Sequence, residues 1–488
     1  MNPPCAFSVL LFALVVALGG CATRPANPPI THVDPDAGYT FQSRLQRNKD
    51  QENLVVLAFS GGGTRAAAFS YGVLEFLRRT EVVGPKGNRE RLIDAVDVVT
   101  GVSGGSFTAL AYGLYGDKLF ADYEQRFLKR DVQGEIISRA FKPANWGHLS
   151  SLAWGRSELA ADLYDEILFN GATFGDLDRG NGPLIGVSAT DISTGSRVTF
   201  GQNLFNAMCS DLNAVRLSRA AAASSAVPAV LSPVTINNYG GTCDYKIPQW
   251  VLRFTSQADP PRPAARTIRE LKDREPYLDG KRRPYIHLVD GGVSDNLGMR
   301  GVLDAINLME SLNAEGVPSR LDNVRRIIVL VVNSQSSPPT NWDASESPPG
   351  TVPILLKATG VPIDHYSYEA VELLKDISAR WQSAQRVRSL AGCADRKDTP
   401  ICKEVRVPDA KIFAIDVSFA ALPDGPERAY LNAQPTSFVL PDEAVDRLRA
   451  AAGNIILASP EFQRLLKDVG ATVVADPPAA RAGALRTP

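Results

Sequence analysis

The chain has 488 residues, with 52 Lys and Arg against 53 Asp and Glu and a formal net charge of −1. That balance carries no electrostatic footprint for nucleic acid. A hydrophobic content of 44% is ordinary for a globular protein with a large core. With no internal repeat in sight, one enlarged α/β domain is more economical than several separate ones.

The N-terminus reads as a processing signal rather than a fold element. Ala6 to Leu18 is apolar apart from Ser8 and too short for a confident membrane span. It ends in Leu18-Gly19-Gly20-Cys21, which resembles a bacterial lipobox. Residues 1–20 are therefore read as a signal peptide, with cleavage leaving Cys21 for lipid attachment. No Lys or Arg precedes the apolar run, so an ordinary secretory signal cut nearby is the alternative. Ala22 is not the aspartate that commonly retains lipoproteins in the inner membrane. Outer-membrane placement, facing the periplasm, follows by analogy. Residues 21–50 carry Pro25, Pro28, Pro29 and Pro35 and read as a lipidated tether.

From Leu54 strands and helices alternate. The run Leu54-Val55-Val56-Leu57-Ala58-Phe59 enters the turn Ser60-Gly61-Gly62-Gly63-Thr64-Arg65. Ala66 to Arg79 suits a helix with Phe69, Val73, Phe76 and Leu77 on one face. A second run, Val96 to Thr100, enters Gly101-Val102-Ser103-Gly104-Gly105. This is a G-x-S-x-G elbow that would push one serine hydroxyl out of a tight strand-to-helix bend. The first turn offers bare backbone N–H groups, and the helix after Ser103 presents a positive N-terminus. An exposed serine and a donor loop are two parts that acyl transfer needs. Two other readings stand beside this one. Such elbows also occur as ordinary turns, and Gly61, Gly63 and Ala66 fit the G-x-G-x-x-A of a dinucleotide site. The dinucleotide reading expects an acid at the end of the next strand, where this chain has Thr100-Gly101.

Further along, Leu184 to Asp191 and Arg197 to Phe200 read as strands around a Ser193-Thr194-Gly195 turn, and Val215 to Ala223 as a short helix. Asp244 to Arg283, with Trp250, Leu252 and Phe254, reads as a surface insertion, or alternatively as a lid. Tyr285 to Val289 forms a strand that delivers Asp290-Gly291-Gly292. A carboxylate at a strand end can serve as a general base; it can equally cap a turn. Ile327 to Asn333 is a β-branched run typical of a buried parallel strand. After a Pro/Ser-rich loop, Asp364 to Leu390 carries a helical stripe through Leu374, Ile377, Trp381 and Ala384. Lys411 to Val417 reads as a strand, and Asp442 to Leu466 as helix with a break at Pro460. The tail, 476–488, is Pro/Ala-rich and reads as disordered. The pattern implies a three-layer α/β/α domain.

None of the four histidines, His32, His148, His287 and His365, has a setting that demands catalysis. Six cysteines are present; Cys5 leaves with the signal and Cys21 takes lipid. Cys209, Cys243, Cys393 and Cys402 remain, an even number suited to an oxidising compartment. The local pairing, Cys209 with Cys243 and Cys393 with Cys402, is one of three possible. Four buried thiols are the other state; the spacing does not resemble a zinc site.

The combination of turns resembles the patatin-like phospholipase family. The residues that carry it are Gly61-Gly62-Gly63-Thr64-Arg65, Gly101-Val102-Ser103-Gly104-Gly105 and Asp290-Gly291-Gly292, in family order. Thr173-Phe174-Gly175-Asp176-Leu177 and Ala223-Ser224-Ser225-Ala226-Val227-Pro228 add to it. The resemblance implies a patatin-like α/β/α fold with a mainly parallel sheet, its catalytic domain over 51–335 and extended by 336–475. It implies a Ser–Asp dyad without histidine: Ser103 as nucleophile, Asp290 as base, and Gly61, Gly62 and Gly63 as oxyanion donors. Arg65 is a candidate for holding an anion or a phosphate head group; an arginine in a first helical turn equally suits pairing with a nearby acid. No metal or other cofactor is needed for such a site, and its substrate would be a membrane lipid ester. The rival from another class is a non-catalytic lipid-binding or envelope scaffold lipoprotein that keeps the fold.

Overall fold

In the computed structural model, residues 24–474 are described, apart from 35–36, 46–51, 86, 150–153, 229, 249–251, 253–263, 320, 339, 341 and 394–398. The signal peptide, Cys21, Trp250, Phe254 and the tail 476–488 lie outside the described residues. The strands are β1 (Asn53–Phe59), β2 (Glu81–Val83), β3 (Arg89–Arg91), β4 (Val98–Val102), β5 (Leu184–Asp191), β6 (Arg197–Phe200), β7 (Val234–Asn237), β8 (Tyr285–Asp290), β9 (Arg326–Asn333), β10 (Lys411–Ser418) and β11 (Thr472–Val473). The main helices are α1 (Gly63–Arg79), α2 (Gly104–Tyr115), α3 (Val132–Phe141), α4 (Pro143–Leu149), α5 (Arg156–Tyr164), α6 (Leu217–Ser224), α7 (Ala264–Arg274), α8 (Arg300–Ala314), α9 (Thr351–Leu390), α10 (Asp442–Ala458) and α11 (Pro460–Val469).

The sequence of β1 explains its place. Alternate side chains of a strand point to opposite faces, so a run that is apolar throughout can be covered on both. Val55, Leu57 and Phe59 enter one core with Phe69, Phe107 and Leu448. Leu54, Val56 and Ala58 enter a second core with Leu303, Leu374 and Trp381. β9 divides in the same way: Ile328, Leu330 and Val332 face the first core, Ile327, Val329 and Val331 the second. Helices α1, α2 and α10 cover one face of the sheet, α8 and α9 the other. Full burial of a side chain such as Leu57 or Phe59 is worth about 1.5–3 kcal/mol.

The main sheet runs β10-β9-β1-β4-β5-β8-β7, with β6 also on β5. Contacts from β10 through β5 are parallel; β6, β8 and β7 are antiparallel additions. This is the three-layer α/β/α arrangement with a mainly parallel sheet. A small second sheet joins β11, β2 and β3. Among the described residues no helix is long and apolar enough to cross a membrane.

Several expectations need correction. Strand β8 runs against β5, with Asp290 opposite Ala189. Asp290 therefore reaches the carboxyl edge of the parallel strands from the opposite direction. Helix α9 starts at Thr351, not near Asp364, and carries Pro362 inside it. Leu374, Ile377 and Trp381 are buried as the stripe requires, and this packing sustains a helix that an internal proline weakens. Helices α10 and α11 meet at Ser459, with Pro460 in the first turn of α11, where its missing N–H costs little.

The tether reading of 21–50 fails for its described part. Asn27 is 3% exposed and bonds Ser210 Oγ at 2.7 Å and the Asn237 carbonyl at 2.8 Å. Tyr39 is buried in the first core, and Arg44 donates to the carbonyls of Gly180, Leu177 and Asp178. Proline content suggested a free linker, whereas the side chains of Asn27, Tyr39 and Arg44 are spent on the domain.

The described part of the 244–283 insertion is not a lid over Ser103. Ile268 of α7 packs against Leu308 and Leu312 of α8, and Tyr277 and Arg283 both bond buried Asp191. Cys209 is joined to Cys243 and Cys393 to Cys402. Peptide mapping under non-reducing conditions should recover both links from the purified protein; free thiols at all four positions would contradict the pairing. Opening the short Cys393–Cys402 loop should cost about 2–3 kcal/mol of stability.

Candidate active site

Two strand-to-helix turns meet at one point. At the end of β4, Ser103 has φ 48° and ψ −122° and stands at the N-terminus of α2. A positive φ is uncommon for a residue with a Cβ, and a serine held so costs about 1–3 kcal/mol. The elbow is fastened from below. The Ser103 N–H donates to Ser224 Oγ at 2.9 Å, and Ser224 Oγ donates to the Ser188 carbonyl at 2.7 Å. Ser106 Oγ donates to the Ser103 carbonyl at 2.6 Å.

The Gly61–Gly63 turn lies against this elbow. A Cβ on Gly104 would stand 2.0 Å from the Gly63 carbonyl oxygen, so only glycine permits the approach. The N-termini of α1 and α2 thus converge on Ser103, and both favour negative charge there. Among the described residues no protein acceptor takes the N–H of Gly62 or Gly63. Gly61 departs from the expected donor set. Its N–H donates to the Asn296 carbonyl at 2.9 Å and is not free for an oxyanion.

Asp290 closes the site from β8. Ser103 Oγ donates to Asp290 Oδ2 at 2.8 Å across 187 positions of sequence. Asp290 Oδ1 accepts the N–H of Gly292 at 2.7 Å, which fixes the carboxyl plane. The residue is 8% exposed. Burial pushes its ionisation up to about 6, against the opposing bonds from Gly292 and Ser103. A carboxyl ionising there can hold a proton in transit at neutral pH. No histidine among the described residues bonds Ser103 or Asp290: His32 pairs with Asp244 and His287 with Thr235.

Of the two readings of Arg65, the pairing with a nearby acid is replaced by bonds to carbonyl and hydroxyl groups. Arg65 is 4% exposed, and among the described residues it makes no ion pair. Nε donates to the Ser334 carbonyl at 2.7 Å, Nη1 to the Gln434 carbonyl at 2.8 Å, and Nη2 to Thr436 Oγ1 at 3.1 Å. Burial lowers its pKa to about 10, with distant Asp364 opposing. Arg65 is a clamp that ties the glycine turn to β9 and to residues 434–436. The Thr64 N–H adds a bond to the Ser437 carbonyl at 2.8 Å. Sequence reasoning missed this support, along with Ser224 and Asn296. The Ala-Ser-Ser-Ala-Val-Pro segment was a signal for Ser224; nothing local marked Asn296 or residues 434–437.

An apolar cavity of about 410 Å³ lies on the other side of the sheet, lined by Leu54, Val98, Leu184, Ile306 and Met309 among others. Neither Ser103 nor Asp290 lines it, so it is separate from the Ser–Asp pair. Among the described residues no group of three His, Cys, Asp or Glu is placed to hold a metal ion.

An elbow serine bonded to a buried aspartate, beside a glycine turn, stands on the mainly parallel sheet of a three-layer α/β protein. Residues 57–303 match the patatin-like phospholipase family, and the chain belongs to it. A comparison with curated protein sequences gives no match. Among solved structures, human GIVD cytosolic phospholipase A2 is 14% identical with a TM-score of 0.40, over 92% of this chain and 69% of that one. The same enzyme with methyl gamma-linolenyl fluorophosphonate and terbium gives 14% and 0.42, over 91% and 66%. VipD from Legionella pneumophila gives 11% and 0.25, over 87% and 68%.

Proposed function

We propose that the protein is a lipid acyl hydrolase that cleaves carboxylic esters of membrane lipids with a Ser103–Asp290 dyad. The observation that carries this reading is the 2.8 Å hydrogen bond from Ser103 Oγ to Asp290 at the strained elbow. As Ser103 Oγ bonds the ester carbonyl carbon, its proton passes to Asp290. The N–H groups of Gly62, Gly63 and Gly104 hold the oxyanion. Collapse breaks the carbon–oxygen bond to the alcohol, which leaves with the proton from Asp290. Water then repeats the sequence on the acyl-enzyme and releases a fatty acid. A long-chain fluorophosphonate should label the protein at Ser103, and lipid analysis should find free fatty acid and deacylated lipid. A folded protein that takes no label would favour a scaffold role instead.

The lipobox-like Leu18-Gly19-Gly20-Cys21 supports lipid attachment at Cys21 and a place in the bacterial envelope, in the outer membrane facing the periplasm. Metabolic labelling with a fatty acid should mark wild type and spare Cys21→Ser; equal labelling of both would sink the assignment.

A further inference from the structure

Helices α3 and α4 present large apolar side chains outward. Ile137 is 51% exposed, Phe141 73% and Trp146 58%. Ile137 and Phe141 are four apart on α3 and share one face. A monomeric surface normally keeps such side chains scattered; grouped, they mark a contact surface.

The place of this patch decides what covers it. Helix α3 starts beside the oxyanion turn. Gln133 Oε1 accepts the Ser437 hydroxyl at 3.1 Å, and Ser437 in turn accepts the Thr64 N–H. The first turn of α3 is therefore tied to the glycine turn beside Ser103, and the patch follows along the same helix. Behind it lies α5, against which α3 packs. Glu158 of α5 makes a buried pair with Arg219 at 2.7 Å, and Arg219 donates to the Thr235 carbonyl at 2.7 Å.

Arg24 donates to that same carbonyl at 2.9 Å and also bonds Asn237. Its guanidinium lies 5.4 Å from the ring centre of Tyr285, which is 55% exposed. Asn237 pairs with Tyr285, three positions from Leu288, which pairs with Asp191 at the carboxyl end of β5. The N-terminal strap is thus pinned past the carboxyl edge of the sheet, the edge that carries Ser103. From Cys21 to Arg24 is three residues (24 − 21), at most about 11 Å of chain. A lipid on Cys21 would hold this end of the domain at the bilayer.

We infer that the outward face of α3 and α4, with Ile137, Phe141 and Trp146, is a membrane-docking surface that seats in the head-group region and sets the Ser103 mouth against its lipid. The inference rests on the reading of Cys21 as the lipid anchor. Phenylalanine and isoleucine supply apolar area, and tryptophan suits the boundary between water and hydrocarbon. Lys142, exposed between the two helices, suits anionic head groups.

The test uses the full chain and vesicles of mixed phosphatidylethanolamine and phosphatidylglycerol with brominated acyl chains. Tryptophan fluorescence should be quenched in wild type, and most of that quenching should disappear in Trp146→Phe. No quenching, or equal quenching in both proteins, overturns the inference, and a protein partner then becomes the better occupant. This readout is independent of catalysis, and fatty-acid labelling of Cys21 reports the anchor separately. In a second arm, Phe141→Ser with Trp146→Ser should lower vesicle-lipid hydrolysis at least about tenfold and leave a soluble short-chain ester unaffected. Unchanged vesicle hydrolysis also overturns it. If both substrates are lost, the conservative Trp146→Phe measurement decides.

Discussion

Asp290→Asn should all but abolish ester hydrolysis and at the same time make the protein more stable at neutral pH. The two effects share one cause. Asp290 ionises at about 6 in the fold against 3.8 when solvated, because burial opposes its charge. Between those values the folded chain binds the proton that the unfolded chain has lost. Stability therefore falls as pH rises from about 4 to about 6, and the full deficit persists above. Moving an ionisation that far corresponds to about 3 kcal/mol. Asparagine can keep the acceptor for Gly292 and carries no charge, so a gain of about 1–3 kcal/mol is expected at pH 7 and little near pH 4. Denaturant titrations at the two pH values read this directly. A loss of stability at pH 7 would show that the buried carboxylate is held by something other than the contacts described. Wild-type activity should rise about tenfold per pH unit below 6 and level off above it, as the carboxylate form becomes available.

Ser103→Ala should lower turnover by at least about 10⁴-fold, the scale on which removal of a nucleophile acts. Combining it with Asp290→Asn should add little further loss, because the two groups act as a unit. Alanine keeps the strained backbone of the elbow, whereas Ser103→Gly relieves it. The glycine variant should be about 1 kcal/mol more stable than the alanine variant and equally inactive. Rates on a soluble ester, with melting curves for all three variants, settle both points. Turnover within tenfold of wild type in folded Ser103→Ala would remove the serine from the mechanism.

Much of this site could be read from residue order, and the rest could not, for identifiable reasons. Ser103 was legible because a serine between glycines, after a β-branched run and before a helix, has few conformations open to it. Asp290 was legible as a strand-end carboxylate, but not the direction of its strand. A short apolar strand packs equally well parallel or antiparallel, and only the partner's register distinguishes them. Gly61 was grouped with Gly62 and Gly63 because composition cannot reveal that the Asn296 carbonyl takes its N–H. Arg65 invited a charged partner, and the fold gave it carbonyls instead. The strap from Arg24 to His32 looked like a linker because proline content says nothing about where Asn27 finds its hydrogen bonds. The start of α9 was missed because Pro353 and Pro362 lower local propensity, while the burial of Trp381 and Leu374 acts from further along the helix.

The clamp on the glycine turn has a consequence in time. Strand β1, the elbow and Asp290 are all made within the first three fifths of the chain. Of the groups that grip Arg65 and Thr64, Ser334 comes earlier, and those from Gln434 to Ser437 arrive only near the end. A chain emerging from its N-terminus would carry nucleophile and base well before the oxyanion turn is braced. The turn would gain its full bracing only with about the last ninth of the chain.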